Sequence, residues 1–479
     1  MGGFFGVAST VECAAELFFG TDYHSHLGTR RGGMHSHLGT RRGGMVTVNG
    51  QGFARSIHNI SNVPFRAKFE EDLPKFEGKT GIGVISDYED QPLTIASHHG
   101  AYAIATVGRV SNLDDLAAEA LRTGTSHFSE FKGAEYNQTE LVATLINRAP
   151  TLVEGIRYAQ EVVEGSCSIL LLTRDGLIAA RDRRGRTPMI LGRKEGAWAV
   201  TLESCALPNL GYQVVRELGP AEVVRVTASG VEELVPPGNY TQICAFLWVY
   251  YGFPASSYQG INVEASRNRC GAALARRDDV EVDLVAGIPD SGTGHAIGYA
   301  SEAGVPFRRP FLKYTPTWPR SFMPQEQSIR DLVAKMKLIP ADQLVDGQRL
   351  LFCEDSIVRG TQLRGIIRRL FDRGAVEIHM RPSCPPLVFG CRYLNFSRSK
   401  SEMALAARKA IADLEGSSDA HLDEYTDPDS ERYAAMVDHI RRQIGVTSLR
   451  YQRLDDMIEA IGVPADQVCT FCWSGEGAP

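Results

Sequence analysis

Apolar residues in the first half of the chain gather in short runs separated by turns rich in Gly, Arg and Asp. Residues 168–172, 177–180, 197–201 and 222–226 read as strands, spaced for stacked antiparallel sheets rather than a parallel one. Helical patterns interrupt them at 112–122 and 139–146. Pro236-Pro237-Gly238 is the expected boundary, because two prolines end regular structure and stiffen a linker. Beyond it the pattern changes to strand, loop, helix. Strand 283–286 enters the loop Gly287-Ile288-Pro289-Asp290-Ser291-Gly292-Thr293-Gly294, and a helix comes next at 295–303. Strand 350–353 enters Glu354-Asp355-Ser356-Ile357-Val358-Arg359-Gly360-Thr361, then a helix at 362–373 that Gly374 suits as a cap, then strand 376–380. Repeated units of this kind build a parallel sheet with helices on its faces. Such sheets bind ligands at the carboxyl ends of their strands, where both loops lie.

One segment breaks the pattern. Residues 24–34 read HSHLGTRRGGM, and residues 35–45 repeat them letter for letter. Solenoid repeats are longer and diverge, so a recent duplication, an engineered insertion or an assembly error is the better account. One copy is expected to loop out.

At 479 residues the chain exceeds one ordinary core, and two domains are expected. With 43% hydrophobic and 23% charged residues it has the composition of a soluble globular protein. A formal charge of -6 gives no reason to expect a nucleic-acid partner. No apolar run approaches the roughly 20 residues that span a bilayer. The start lacks a signal-peptide pattern, so a cytoplasmic address is expected. Ten scattered cysteines do not suggest a disulfide framework. Cys13, Cys167, Cys205, Cys270 and Cys384 read as small buried residues. The pair Cys469 and Cys472 differs, since C-x-x-C can bring two thiolates to one metal.

The loop 354–361 carries the clearest chemistry. Backbone N–H groups at a helix start suit phosphate, Ser356 and Thr361 add hydroxyls, and Gly360 allows close approach. Adjacent carboxylates on Glu354 and Asp355 would repel an anion directly. They make sense bound to ribose hydroxyls, or to a magnesium that a pyrophosphate also ligates. No G-x-x-x-x-G-K-[ST] is present, which excludes a P-loop.

These residues resemble the signature loop of type I phosphoribosyltransferases and, more narrowly, the amidophosphoribosyltransferase family that opens purine synthesis. The resemblance extends over nearly the whole chain. Gly287 to Ser291 resembles the family's pyrophosphate loop. Lys335-Met336-Lys337-Leu338 resembles its basic segment downstream of a flexible lid, here around 314–323. Ala179-Ala180-Arg181-Asp182 through Arg186-Thr187-Pro188, and Glu203-Ser204-Cys205-Ala206, match its N-terminal domain. The resemblance implies a glutamine amidotransferase-like domain at 1–235, of the four-layer αββα N-terminal nucleophile hydrolase type. It implies a type I phosphoribosyltransferase domain, a parallel sheet flanked by helices, at 236–440, and a helical tail with the cysteine pair at 441–479. Phosphoribosyl pyrophosphate (PRPP) would be bound by Asp290, Ser291, Gly292, Glu354, Asp355, Ser356, Val358, Arg359, Gly360 and Thr361. Lys335 and Lys337 are candidates too, with ordinary surface charge as the alternative. Magnesium would carry over to Ser291, Glu354 and Asp355, Glu354 replacing the family's usual Asp. A branch of the family holds a [4Fe–4S] cluster, and its ligands fall on Cys244, Cys391, Cys469 and Cys472. Zinc would fit four thiolates as well. A homotetramer and purine nucleotide effectors are further implications.

The first domain departs from the family at its chemistry. Gly2 stands where the nucleophilic cysteine belongs, and Cys13 is expected too far along a first helix to substitute. The His-Arg-Gly motif reads His26-Leu27-Gly28, or His37-Leu38-Gly39 in the second copy. The glutamine-binding arginine falls on Ser86, the oxyanion Asn-Gly on Val107-Gly108, and the acid that binds the substrate amine on Gln138. One missing oxyanion donor typically costs about 2.7–4 kcal/mol. The expectation is therefore an enzyme forming 5-phosphoribosylamine from PRPP and ammonia. Two alternatives remain: a glutamine-dependent enzyme, and a non-catalytic regulator that binds PRPP or nucleotides.

Overall fold

The computed structural model describes residues 2–27, 42–61, 63–86, 89–122, 128–129, 131–132, 135–313, 338–394, 403 and 405–477. The duplicated segment enters this range only at its ends. Residues 24–27 close the turn after the first helix, and residues 42–45 open the strand Arg42–Asn49.

Two antiparallel sheets form the first half. One holds seven strands in the order Gln213–Glu217, Ile190–Lys194, Ala197–Thr201, Gly3–Ser9, Thr80–Ser86, Arg42–Asn49, Gly52–Asn59. The other holds six, in the order Gly230–Val235, Val223–Thr227, Gly176–Ala180, Gly165–Thr173, Gly100–Val110, Leu93–Ser97. They pack face to face around Phe4, Val84, Leu170, Leu172 and Leu177, all buried. Ala14–Asp22 covers the seven-stranded sheet, and Leu113–Arg122, Gln138–Ile146 and Leu152–Val162 cover the six-stranded one. Asn137 and Thr151 cap two of these helices by accepting from the backbone N–H groups of Glu140 and Glu154. The result is helix, sheet, sheet, helix. The expected strands and helices lie within a residue or two of the observed ones, apart from the start of the strand expected at 168–172, which begins at Gly165.

In the second half four strands run parallel: Leu284–Gly287, Arg349–Glu354, Glu377–Pro382 and Ser448–Leu449. Val263–Arg276 and Thr293–Ala303 pack together on one side, while Thr361–Phe371, Ala406–Glu415 and Glu431–Ile444 share a second core with the sheet. The tail needs a correction. The helix Glu431–Ile444 runs across position 440, and Ser448–Leu449 joins the sheet, so no separate tail starts at 441. The apolar face of that helix (Met436, Ile440, Ile444) is what ties it to the core.

Candidate active site

The strand Arg349–Glu354 is buried from Leu350 onward and delivers Glu354 and Asp355 at its carboxyl end, both fully buried. Its neighbour Leu284–Gly287 runs in register, Gly287 opposite Cys353, and the Ile288 N–H donates to the Cys353 carbonyl at 2.9 Å. A Cβ on Gly292 would lie 2.1 Å from that same carbonyl, so the two loops touch backbone to backbone where no side chain fits. Ser291 Oγ donates to Glu354 Oε1 at 3.0 Å, and Ser356 Oγ to Asp355 Oδ2 at 2.6 Å. Burial and the adjacent Asp355 push the Glu354 carboxyl well above its usual range.

The remaining candidates fall into three groups. Asp290 is exposed and paired with Lys313 at 2.6 Å. Val358 fixes the loop by accepting from the Ala406 N–H at 2.7 Å, Arg359 is exposed, and Gly360 and Thr361 begin the helix Thr361–Phe371. Lys335, Lys337 and the lid expected at 314–323 lie outside the described residues. Two neighbours carried no motif. Buried Arg267 donates to the carbonyls of Trp248 (2.9 Å), Tyr250 (2.8 Å) and Gly252 (3.0 Å); burial lowers its pKa below the ordinary value, and Asp355 opposes that shift. The Tyr250 hydroxyl is pushed up by burial, then by Asp355 and Glu354. A basic or aromatic residue more than eighty positions from the loop leaves no local signal.

Two carboxylates and a hydroxyl are hard oxygen donors, and a divalent cation would keep both buried acids ionised. This donor set fits magnesium. Among the described residues no three His, Cys, Asp or Glu side chains surround a single-ion position. A magnesium site needs only one or two carboxylates, the other ligands being water and substrate phosphates.

The four cysteines converge from three segments. Ile243–Cys244 pairs parallel with Val468–Cys469, Cys244 opposite Cys469. Cys472 sits in the helix Phe471–Ser474, and its carbonyl accepts from the N–H groups of Val388 (3.2 Å) and Phe389 (3.1 Å), which carries in Cys391. Burial and the thiols of Cys469 and Cys391 push Cys244 up. Burial also opposes ionisation of Cys391. Hydrogen bonds from Cys472 and the N–H groups of Tyr393 and Leu394, with Arg109 nearby, bring it down to about 7. Four thiols brought in by three adjoining segments, three of them buried and Cys391 half-buried, have the donor chemistry of an iron–sulfur cluster or zinc.

Among its described residues the first half holds no such constellation. Gly2 is buried, and a Cβ there would lie 2.2 Å from the Ile85 carbonyl oxygen. Cys13, expected along the first helix, stands just before it. The strand Gly3–Ser9 separates it from Gly2, and burial raises its thiol to about 12. Ser86, Gln91, Thr106, Gln138 and Thr139 are all buried and bond one another or nearby backbone. Ser86 Oγ accepts from Gln91 Nε2 at 3.3 Å, and Gln91 Oε1 from the Thr106 N–H at 2.8 Å. Thr106 and Thr139 hydroxyls meet at 2.6 Å, and Gln138 Nε2 donates to the Gly108 carbonyl at 3.2 Å. Glu89 accepts from the Gln138 N–H at 2.7 Å and the Thr139 hydroxyl at 2.9 Å. Val107 is 2% exposed and offers only an apolar side chain. His26 Nε2 pairs with Glu203 at 2.8 Å, and Gly28, His37, Leu38 and Gly39 lie outside the described residues.

A family model described as a glutamine amidotransferase domain matches residues 80–209. The chloroplastic amidophosphoribosyltransferase of Vigna aconitifolia is 32% identical over 440 residues, covering 90% of this chain and 82% of that protein. The amidophosphoribosyltransferase of Methanocaldococcus jannaschii is 29% identical over 504 residues, covering 99% and 97%. Among solved structures, glutamine PRPP amidotransferase from B. subtilis complexed with ADP and GMP superposes with a TM-score of 0.83 at 27% identity. The match covers 99% of this chain and 96% of that one.

Proposed function

Given that the chain belongs to the amidophosphoribosyltransferase family, we propose that it forms 5-phosphoribosylamine from PRPP with ammonia, and not glutamine, as its nitrogen source. The observation that carries this reading is the absence of room at Gly2: the space a nucleophile would need is taken by the Ile85 carbonyl. The hydrogen-bonded Ser86, Gln91 and Gln138 support it, since Ser86 and Gln91 hold each other and Gln138 holds the backbone of Gly108 and Val110.

In this reading the helix start at Gly360 and Thr361 receives a phosphate on its free N–H groups, and Glu354 and Asp355 orient the ribose. Arg359 faces solvent beside the loop, where it can meet the pyrophosphate. Ser291, Glu354 and Asp355 would hold magnesium, which supplies positive charge against the leaving pyrophosphate. Ammonia nitrogen bonds to the ribose carbon as the carbon–oxygen bond to pyrophosphate breaks, and the nitrogen then sheds a proton. Buried Arg267 holds the segment carrying Tyr250 against the acids.

Cys244, Cys391, Cys469 and Cys472 are assigned to a [4Fe–4S] cluster over zinc because they fall where the iron–sulfur branch of the family carries its cluster ligands. All ten cysteines are free, which fits a reducing compartment such as the cytoplasm. Among the described residues no helix is long and apolar enough to cross a membrane. A homotetramer is proposed from the family resemblance alone, and a response to purine nucleotides by analogy with the B. subtilis enzyme, whose structure holds ADP and GMP.

The test is pyrophosphate release from PRPP on anaerobically purified protein, with ammonium and glutamine supplied separately. Release with ammonium alone is expected. Release with glutamine at a comparable rate overturns the donor assignment, and silence with both overturns the transferase.

A further inference from the structure

We infer that the first half of the chain supplies the cationic wall of the four-cysteine centre through Arg186 and Arg109. The inference rests on the reading that these cysteines hold a cluster. All four come from the second half of the chain, yet the charge that faces them comes from the first. Arg186 is 1% exposed, and its guanidinium carbon sits 3.5 Å from the centre of the Tyr393 ring. Its Nη1 donates to the Gly165 carbonyl at 2.8 Å, and its own carbonyl accepts from the Cys244 N–H at 3.1 Å. Tyr393 stands two residues after Cys391, so the guanidinium lies against the segment of that cysteine while the Arg186 backbone binds that of Cys244. Arg109 reaches the Cys391 segment as well, its Nη1 donating to the Cys391 carbonyl at 2.9 Å, while Ser111 Oγ donates to the Arg392 carbonyl.

Arg186 is held for this task. Asp182 accepts from the N–H groups of Arg184 (3.3 Å), Arg186 (3.0 Å) and Thr187 (3.1 Å), fixing the turn that presents it. A cluster on four thiolates is an anion in both of its common oxidation states, and more so when reduced. Buried in low dielectric, such an anion is costly unless a cation lies against it. A cation at that position favours the reduced form and raises the reduction potential, which net charge and hydrogen bonding largely set. A domain that has lost glutamine hydrolysis thereby keeps a physical task.

The experiment compares wild type with Arg186→Gln, Arg186→Lys and Arg109→Gln, all purified anaerobically as full chains. Iron and acid-labile sulfide are counted per chain. The one-electron midpoint potential is read by electron paramagnetic resonance during reductive titration, and iron loss to a chelator is timed. Arg186→Gln is expected to titrate at a more negative potential and release iron faster, with Arg186→Lys between it and wild type. Arg109→Gln, at an exposed position, is expected to keep its iron and shift less in the same direction. If Arg186→Gln does not fold, the other two variants still decide. Wild type without iron or labile sulfide overturns the cluster reading itself. A wild-type cluster whose potential and iron loss are the same in every folded variant overturns the cationic wall alone.

Discussion

A Gly2→Cys variant with Met1 removed would place a thiol and a free amine where the family carries its nucleophile. The structure argues that this does not restore glutamine hydrolysis. The new Cβ would start 2.2 Å from the Ile85 carbonyl oxygen, more than an ångström inside the 3.4 Å at which ordinary contact begins. Ile85 is not free to yield. Its strand pairs on both sides, Ile85 opposite Gly3 and opposite Gly43, in the middle of the seven-stranded sheet. Overpacking of this kind typically costs about 1–3 kcal/mol. In a domain of ordinary size each kcal/mol lowers Tm by roughly 2–4 °C. Chemistry faces its own deficit, because Val107 offers no oxyanion donor, and one such loss is worth about 10²–10³ in rate. Glutamate formation and thermal unfolding should be measured together. Expected are a lower Tm and glutamate at background, with ammonium-driven pyrophosphate release kept. Glutamate production within tenfold of the ammonium rate, at unchanged Tm, would refute the steric argument.

Glu354→Ala with Asp355→Ala should abolish pyrophosphate release, by at least about 10²-fold if the acids hold the metal. Tm should hold or rise, because two buried and mutually repelling carboxyls are gone; a large fall in Tm would contradict this. Asp182→Ala strips the acceptor from the N–H groups of Arg186 and Thr187 and from the Thr187 hydroxyl, so a loss of about 3 kcal/mol or more in denaturant unfolding is expected. His24 is fully buried, and burial lowers it to about 4 from its ordinary 6.5. The unfolded chain therefore binds the extra proton first as pH falls, and the His24 contribution is present above pH 6.5 and is lost progressively down to about 4. That loss is roughly 3 kcal/mol at most. A His24→Gln variant should show a shallower fall of stability between those limits, and an unchanged slope would count against it.

The second half was the more legible. Its strand–loop–helix grammar located both loops, because the acids, the serines and the glycine of residues 354–361 are contiguous and a parallel sheet sends every such loop to one edge. The first half was legible as strands, but not in its centre. Gly3–Ser9, the middle strand of its sheet, starts among glycines and phenylalanines that alternate with nothing, since both of its faces are buried. That strand is also why Cys13 stands at the opposite end of the sheet from Gly2. The substitutions at Ser86 and Gln138 could be read singly. That they belong to one hydrogen-bonded group with Gln91, Thr106 and Thr139 could not, because the partners are up to fifty residues apart. Arg186 was visible only as part of a family fragment, since a guanidinium set against distant segments that carry cysteines leaves no spacing to count.

The two-residue pairing of Ile243–Cys244 with Val468–Cys469 joins positions more than two hundred residues apart. During synthesis, the edge at Ile243 must wait for almost all of the second half to leave the ribosome. Contacts of such long range close late and slowly. Phe246, whose ring stacks on Trp473 at 4.6 Å, stays uncovered over that interval. A nascent chain stalled before residue 468 would therefore display an unpaired strand edge and an apolar patch together, the features that chaperones bind and proteases cut.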